Sequence, residues 1–231
     1  MRVLYVVLSA LAVSGCGVSI LDLSGPGPAP GSPPREHIEQ LLAQVDKVES
    51  RPHPGGYQRG CSGKEQCVFG PAWTDAQSAP AGHDGCDTRN NVLATDLRSV
   101  SFRDGTRECV VLSGVLADPY SGELVTFDRS DAKAVQIDHV YPLAAAWDMG
   151  ASTWPLERRL RFANDVMFEL LAVNGDDNQD KGDQTPGDWL PPNPAYHCFY
   201  AGKYLSVAVE YGLPVTVADR KALADVAERC P

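Results

Sequence analysis

Basic charge is scarce in this chain. Its 231 residues hold 20 lysines and arginines against 30 aspartates and glutamates, a net charge of −10. That balance argues against a protein that coats nucleic acid by charge alone, because phosphate binding recruits Lys and Arg. The seven cysteines include no C-x-x-C pair, which argues against a zinc cluster. The N-terminal apolar run, Val3 to Val13, is shorter than the ~20 residues a membrane span needs. No internal repeat is evident, so a solenoid or propeller is not expected.

What is present begins with an address. Arg2, the apolar run and Ser14-Gly15-Cys16 read as a secretory signal. Val13-Ser14-Gly15-Cys16 resembles the bacterial lipobox, which implies cleavage before Cys16 and a lipid on its thiol and new N-terminus. An ordinary signal peptide cut elsewhere is the alternative. Gly25 to Pro34, GPGPAPGSPP, reads as a semi-extended tether. The expected division is a signal peptide at 1–15, a lipid-anchored tether at 16–34 and one folded domain at 35–231. Export leaves six cysteines free to pair, and the expected disulfides are Cys61–Cys67, Cys86–Cys109 and Cys198–Cys230.

Periodicity predicts an α+β domain. Ile38, Leu41, Leu42, Val45 and Val48 mark a helix over 36–50. Further helices are expected over 86–99, 155–164, 193–211 and 217–229. Between them, 109–116 and 123–127 read as strands joined by the turn Asp118-Pro119-Tyr120-Ser121-Gly122. This hairpin is expected to pair with the strand that follows it.

The chain is organised around Val135 to Pro192. Val135 and Ile137 alternate as in a half-buried strand, which delivers Asp138 and His139 to its end. Pro142 then stops the ladder, because it has no N–H to give. A second strand, Leu170 to Val173, leads through Asn174-Gly175 into a short polar helix over 176–181. Asp138 and the Asn178 carbonyl are hard oxygen ligands of the kind Mg²⁺ takes alongside water and phosphate. His139 can accept a proton near neutral pH. Asn178 and Lys181, three apart, are expected to share a helix face, with Lys181 holding a phosphate oxygen.

The ordered set QIDHVYPLAAAWDMGA, RFAND, NQDKGD and DWLPPNPAYHC, with FGPAW, CDTRNNVL and ADPYSG before it, resembles the HNH (ββα-metal) nucleases. More narrowly it resembles a family of secreted bacterial HNH endonucleases. The resemblance implies a ββα-metal core at about 135–189 within small antiparallel sheets, surrounded by helices and disulfide-pinned loops. It implies Asp138 and Asn178 as metal ligands and His139 as general base. The middle Asn of that pattern, nine residues before the helix ligand, falls on Glu169 here. Glu169 is then expected to hold His139, with Asn164 or Asn174 as alternatives. Arg89, at the start of a helix, and Arg158 and Arg161, in a basic cluster, are candidate substrate contacts.

The resulting expectation is a monomeric, metal-dependent endonuclease at the outer face of a bacterial membrane, or secreted. It would cut nucleic acid, DNA before RNA, with Mg²⁺ before Mn²⁺, Ca²⁺ or Zn²⁺. Two other readings stay open. One is an HNH-fold binding lipoprotein of little or no turnover, which rests on Glu169 and the acidic charge. The other is a phosphodiesterase acting on a smaller substrate.

Overall fold

A computed structural model describes residues 27–61 and 67–231. The expected signal peptide and Cys16 lie outside these residues. Within them the chain is α+β, with helices around three small sheets. The first helix, α1 (Arg35–Gln44), ends before Val45, and the next residues form β1 (Lys47–Val48), a short strand. That strand pairs in parallel with β7 (Val215–Thr216). Helix α2 (Thr88–Asp96) is capped by the Asp87 carboxylate, which accepts from the Asn90 N–H at 2.8 Å. The chain then turns extended at Leu97.

The expected helix over 86–99 therefore stops short, and β2 (Leu97–Phe102) is a strand. It is the edge of the antiparallel sheet β2–β3–β4, with β3 (Val111–Ala117) and β4 (Leu124–Asp128). This hairpin does not extend the next sheet, contrary to expectation. Strand β5 (Val135–His139) pairs only with β6 (Leu170–Asn174), antiparallel, in a separate sheet. What the hairpin gives the site is its turn, described below.

Between β5 and β6 lie α3 (Leu143–Asp148), which starts directly after Pro142, and α4 (Leu156–Ala163). Helix α5 (Gly175–Lys181) follows β6 with no intervening loop. The Asn174 side chain caps it, accepting from Asp176 N at 2.8 Å. Gly175 is required at this junction, since a Cβ there would meet the Lys133 carbonyl oxygen at 2.0 Å. The long helix α6 (His197–Tyr211) and α7 (Val217–Ala227) close the fold. Thr216 and Asp219 cap α7 reciprocally as a capping box.

Two apolar cores result. One gathers α1, α3, α4, α6 and α7 around Tyr141, Phe162, Tyr204 and Leu205. The other lies under the sheets, around Leu93, Val111, Phe127 and Ile137. Ile137 belongs to the second core, and Val140 and Tyr141 to the first. Asp138 and His139 thus stand at the seam.

The described part of the expected tether is docked. The Ala29 N–H donates to Ala195 O at 2.9 Å, and Pro33 lies 3.1 Å from where a Cβ on Gly202 would stand. The Arg35 N–H donates to the carbonyl of Pro231 at 2.8 Å, so the start of α1 meets the last residue. The structure holds the disulfides Cys61–Cys67, Cys86–Cys109 and Cys198–Cys230.

The third bridge closes a loop of sequence separation 32 between α6 and the residues after α7. Restricting the unfolded chain over such a loop is worth about 3–4 kcal/mol. Replacing both Cys198 and Cys230 by alanine is expected to lower unfolding stability by about that amount, read from urea titrations under non-reducing conditions. An unchanged midpoint would contradict the assignment.

Candidate active site

The β5–β6–α5 unit is assembled around one buried cation. Lys181 ends α5 fully buried, and its Nζ donates to both Asp138 carboxylate oxygens and to His139 O, each at 2.8 Å. Tyr120, from the turn between β3 and β4, donates its hydroxyl to Asp138 Oδ2 at 2.6 Å. The same turn places Asp118 Oδ1 on the Asn174 N–H at 2.8 Å, at the junction of β6 and α5. Trp189 packs edge-on to Tyr120 and donates its indole N–H to Asp180 Oδ2 at 2.9 Å.

This geometry corrects the expectation for Lys181. A lysine with no exposed surface does not reach a phosphate; its charge balances Asp138 instead. Nor do Asn178 and Lys181 work on one face. Asn178 lines the open cleft, and Lys181 points beneath it. Asn178 Nδ2 donates to Gln136 Oε1 at 2.9 Å, which leaves its carbonyl oxygen for another partner.

The cleft has a volume of about 570 Å³, and Arg59, Arg89, Gln136, Asp138, His139 and Asn178 are among the residues that line it. His139 is 8 % exposed. Its Nε2 lies 3.0 Å from the Ala163 carbonyl, which can only accept, so Nε2 carries the proton and Nδ1 keeps its lone pair. The ring stacks on Trp73, with centroids 5.6 Å apart and planes 15° apart. Burial drives the imidazole pKa down to about 3; the Ala163 carbonyl opposes this, and the charges of Arg59 and Lys181 add to it. The ring is therefore neutral at neutral pH.

Glu169 does not hold that ring. It is fully buried, its backbone carbonyl accepts from Val140 N, and its Oε2 accepts from Tyr141 N at 3.4 Å. Burial raises its carboxyl well above the ordinary range, against the pull of Lys181. The group that orients His139 is the backbone at the end of α4, which residue-type reasoning does not see. The nine-residue count reached the right strand pairing, since Glu169 directly precedes Leu170, the partner of His139. It did not reach the right contact.

Of the three candidate arginines, Arg89 reaches the cleft and also donates to Val135 O at 3.0 Å. Arg158 and Arg161 do not. Arg158 donates to Tyr211 O at 2.8 Å and covers the Trp154 ring, and Arg161 pairs with Glu210 at 3.6 Å. Both line a separate hollow that also holds Glu157. The hollow they line does not include His139, so the expected phosphate patch is not beside it. Arg59, Trp73 and Gln136 line the cleft and were not foreseen as site residues. The sequence signal for Trp73 was a large aromatic in a Gly/Pro-rich loop.

Among the described residues no three His, Cys, Asp or Glu side chains cluster as a metal cage. The donor set at the cleft is the Asp138 carboxylate and the Asn178 carbonyl, flanked by open space. These are the oxygen types a hard divalent cation takes, although the Asp138 carboxylate, 4 % exposed, already accepts from Lys181 and Tyr120.

Residues 87–226 match the family profile described as GmrSD restriction endonucleases, C-terminal domain. The chain belongs to that family. The GmrSD-type segment contains Asp138, His139, Glu169, Asn178 and Lys181, while Arg59, Phe69 and Trp73 precede it. A protein of the fungus Arthroderma benhamiae, described as an uncharacterized secreted protein, is 35% identical over 214 residues. The match covers 92% of this chain and 95% of that relative, so the likeness is not confined to bacterial proteins. No solved structure matches.

Two outcomes test this geometry. Lys181→Met leaves the Asp138 carboxylate buried and unpaired and is expected to cost about 3–5 kcal/mol. Adding Asp138→Leu removes the stranded charge and should recover most of the loss in the same urea titration. Full stability of Lys181→Met alone would refute the pairing. The second concerns pH. Because folding lowers the His139 pKa, the unfolded chain binds the extra proton between about pH 6.5 and 3. Stability is therefore lost as pH falls through that window. Between pH 7 and pH 5, in chelator, the native protein should lose about 2 kcal/mol more than His139→Gln does. Equal losses would show that the ring is not buried in its neutral form.

Proposed function

We propose that this cleft is the active site of an exported, metal-dependent endonuclease that hydrolyses phosphodiester bonds of nucleic acid, DNA in the first instance. The observation that carries the reading is the state of His139. A neutral imidazole, protonated at Nε2 by its bond to Ala163 and open at Nδ1, lines the cleft beside the Asp138 and Asn178 oxygens. Its free lone pair can take a proton from water, and an entering phosphate, an anion beside the ring, raises its basicity from the low value that burial imposes toward the range a general base needs. Membership in a restriction endonuclease domain family supports the same reaction class.

Asp138 and Asn178 would hold the cation, Mg²⁺ by the hardness of two oxygen donors. When bound, the ion supplies charge stabilisation at a phosphoryl oxygen. Lys181 already neutralises much of Asp138, so the protein alone offers a cation little net negative charge. The phosphate of the substrate completes that balance. Arg59 and Arg89 line the cleft, and a strand entering it would meet them. Glu169, whose Oε2 accepts from Tyr141 N, supports the hairpin. Three disulfides and a secreted relative support export, and lipidation at Cys16 is the anchor we propose for it.

The test is nicking of supercoiled plasmid with added Mg²⁺. His139→Ala is expected to lower the rate by about 10² to 10⁴-fold. It should leave Mn²⁺ binding, measured by calorimetry, nearly unchanged. Loss of metal binding in His139→Ala would make the histidine a ligand and overturn the mechanism. Absence of nicking with every divalent ion tried would overturn the function.

A further inference from the structure

A second, smaller pocket opens beside His139. It opens toward solvent and shares Arg59, Trp73, His139 and Leu143 with the cleft. Its remaining wall is apolar, from Phe69, Pro71 and Ala163 among others, with one exception. Asn164, 1 % exposed, donates its Nδ2 to Leu160 O, while its Oδ1 is buried with no hydrogen-bond partner among the described residues. A buried acceptor left without a donor is destabilising. Here it belongs to a pocket whose other residues are nearly all flat or aliphatic. Trp73 is held in the wall with a left-handed backbone, φ 57°. A bulky residue rarely adopts that conformation without surroundings that impose it.

We propose that this pocket takes one nucleobase of the bound strand, next to the phosphate that is cut. The inference deepens the nuclease reading and rests on it. A base is planar and apolar on its faces, which suits the Phe69 and Trp73 wall, and carries N–H donors on its edge, which suits Asn164 Oδ1. The Arg59 guanidinium faces both the pocket and the cleft, and so can meet a base acceptor or the adjoining phosphate. The charge of the chain points the same way. A protein of net charge −10 gains little from phosphates alone, so base contacts supply affinity that salt bridges do not. A paired base cannot enter such a pocket without leaving its stack. The substrate class is therefore single-stranded or locally unpaired nucleic acid in preference to intact duplex. Arg59, Phe69 and Trp73 precede the matched family segment, so the pocket is built with residues from outside it.

The test compares two fluorescein-labelled ten-nucleotide DNA strands in EDTA, one with bases throughout and one abasic at every interior position. Anisotropy titration of the full-length protein is expected to show the base-bearing strand bound about tenfold tighter. A duplex of the same length should bind like the abasic strand. Ala72→Trp places a bulky ring on an exposed residue at the pocket wall. It should abolish the difference between the strands while leaving the affinity of the abasic strand unchanged. Equal affinity of the two strands for the native protein, including no binding of either, overturns the proposal. So does a difference that survives Ala72→Trp. The outcome is separable from the nuclease reading. A protein that discriminates bases but never nicks plasmid keeps the subsite and loses the mechanism. A protein that nicks without base preference does the reverse.

Discussion

An ammonium group with no access to water has to be answered by negative charge, and in this protein the answer is Asp138. The Lys181–Asp138 pair joins the last residue of α5 to the end of β5, and its third bond, to His139 O, fixes the backbone on which the imidazole stands. Buried pairs of this kind contribute little net stability. They do exclude other arrangements, because any shift of α5 along β5 would separate the charges. Asn178 stands three residues earlier on the same short helix, so the bond that anchors Lys181 also sets where the Asn178 carbonyl faces.

The rest of the molecule supports that pair from below. Tyr120 arrives on the turn of the β3–β4 hairpin, a sheet that does not otherwise pair with the site. Trp189 and Tyr200 pack edge-on to it and to each other. The floor is therefore aromatic and dry, and the charged groups at the seam act on each other with little screening from that side. The open side is different. There the cleft offers solvent, two arginines and a neutral imidazole, an asymmetry suited to chemistry on an anion that comes from outside.

Much of this was legible in the residues. The Val135–Ile137 alternation, the Pro142 stop, the Asn174-Gly175 junction and the polar helix after it gave the hairpin and helix in order. Asp138, His139 and Asn178 were recognisable as a group by residue type and spacing. What escaped was what spacing cannot carry. Lys181 is on the expected helix, but whether its side chain goes up to substrate or down to a carboxylate depends on burial, which is decided by Tyr120 and Trp189 far away in sequence. Glu169 is at the expected place, but burial turns its carboxyl to the Tyr141 backbone rather than to the imidazole. The true holder of His139 is a main-chain carbonyl, which has no signature in the sequence at all. Arg158 and Arg161 were misplaced because a basic run says nothing about which face of α4 turns to the cleft. Leu97 to Ser99 read as the end of a helix because Leu97 follows Val92 and Leu93 at helical spacing, and the partner that makes the segment a strand, β3, comes only after a loop.

The meeting of Arg35 with the carbonyl of Pro231 has a topological consequence. Residues 35 and 231 meet at one point, with α1 resting against α6 and α7 and the β1–β7 ladder running alongside. A unit closed in this way can be carried inside a longer chain by a pair of strands entering and leaving together, without stretching either core. Its order of elements is then a matter of where the backbone is cut rather than of how the cores pack.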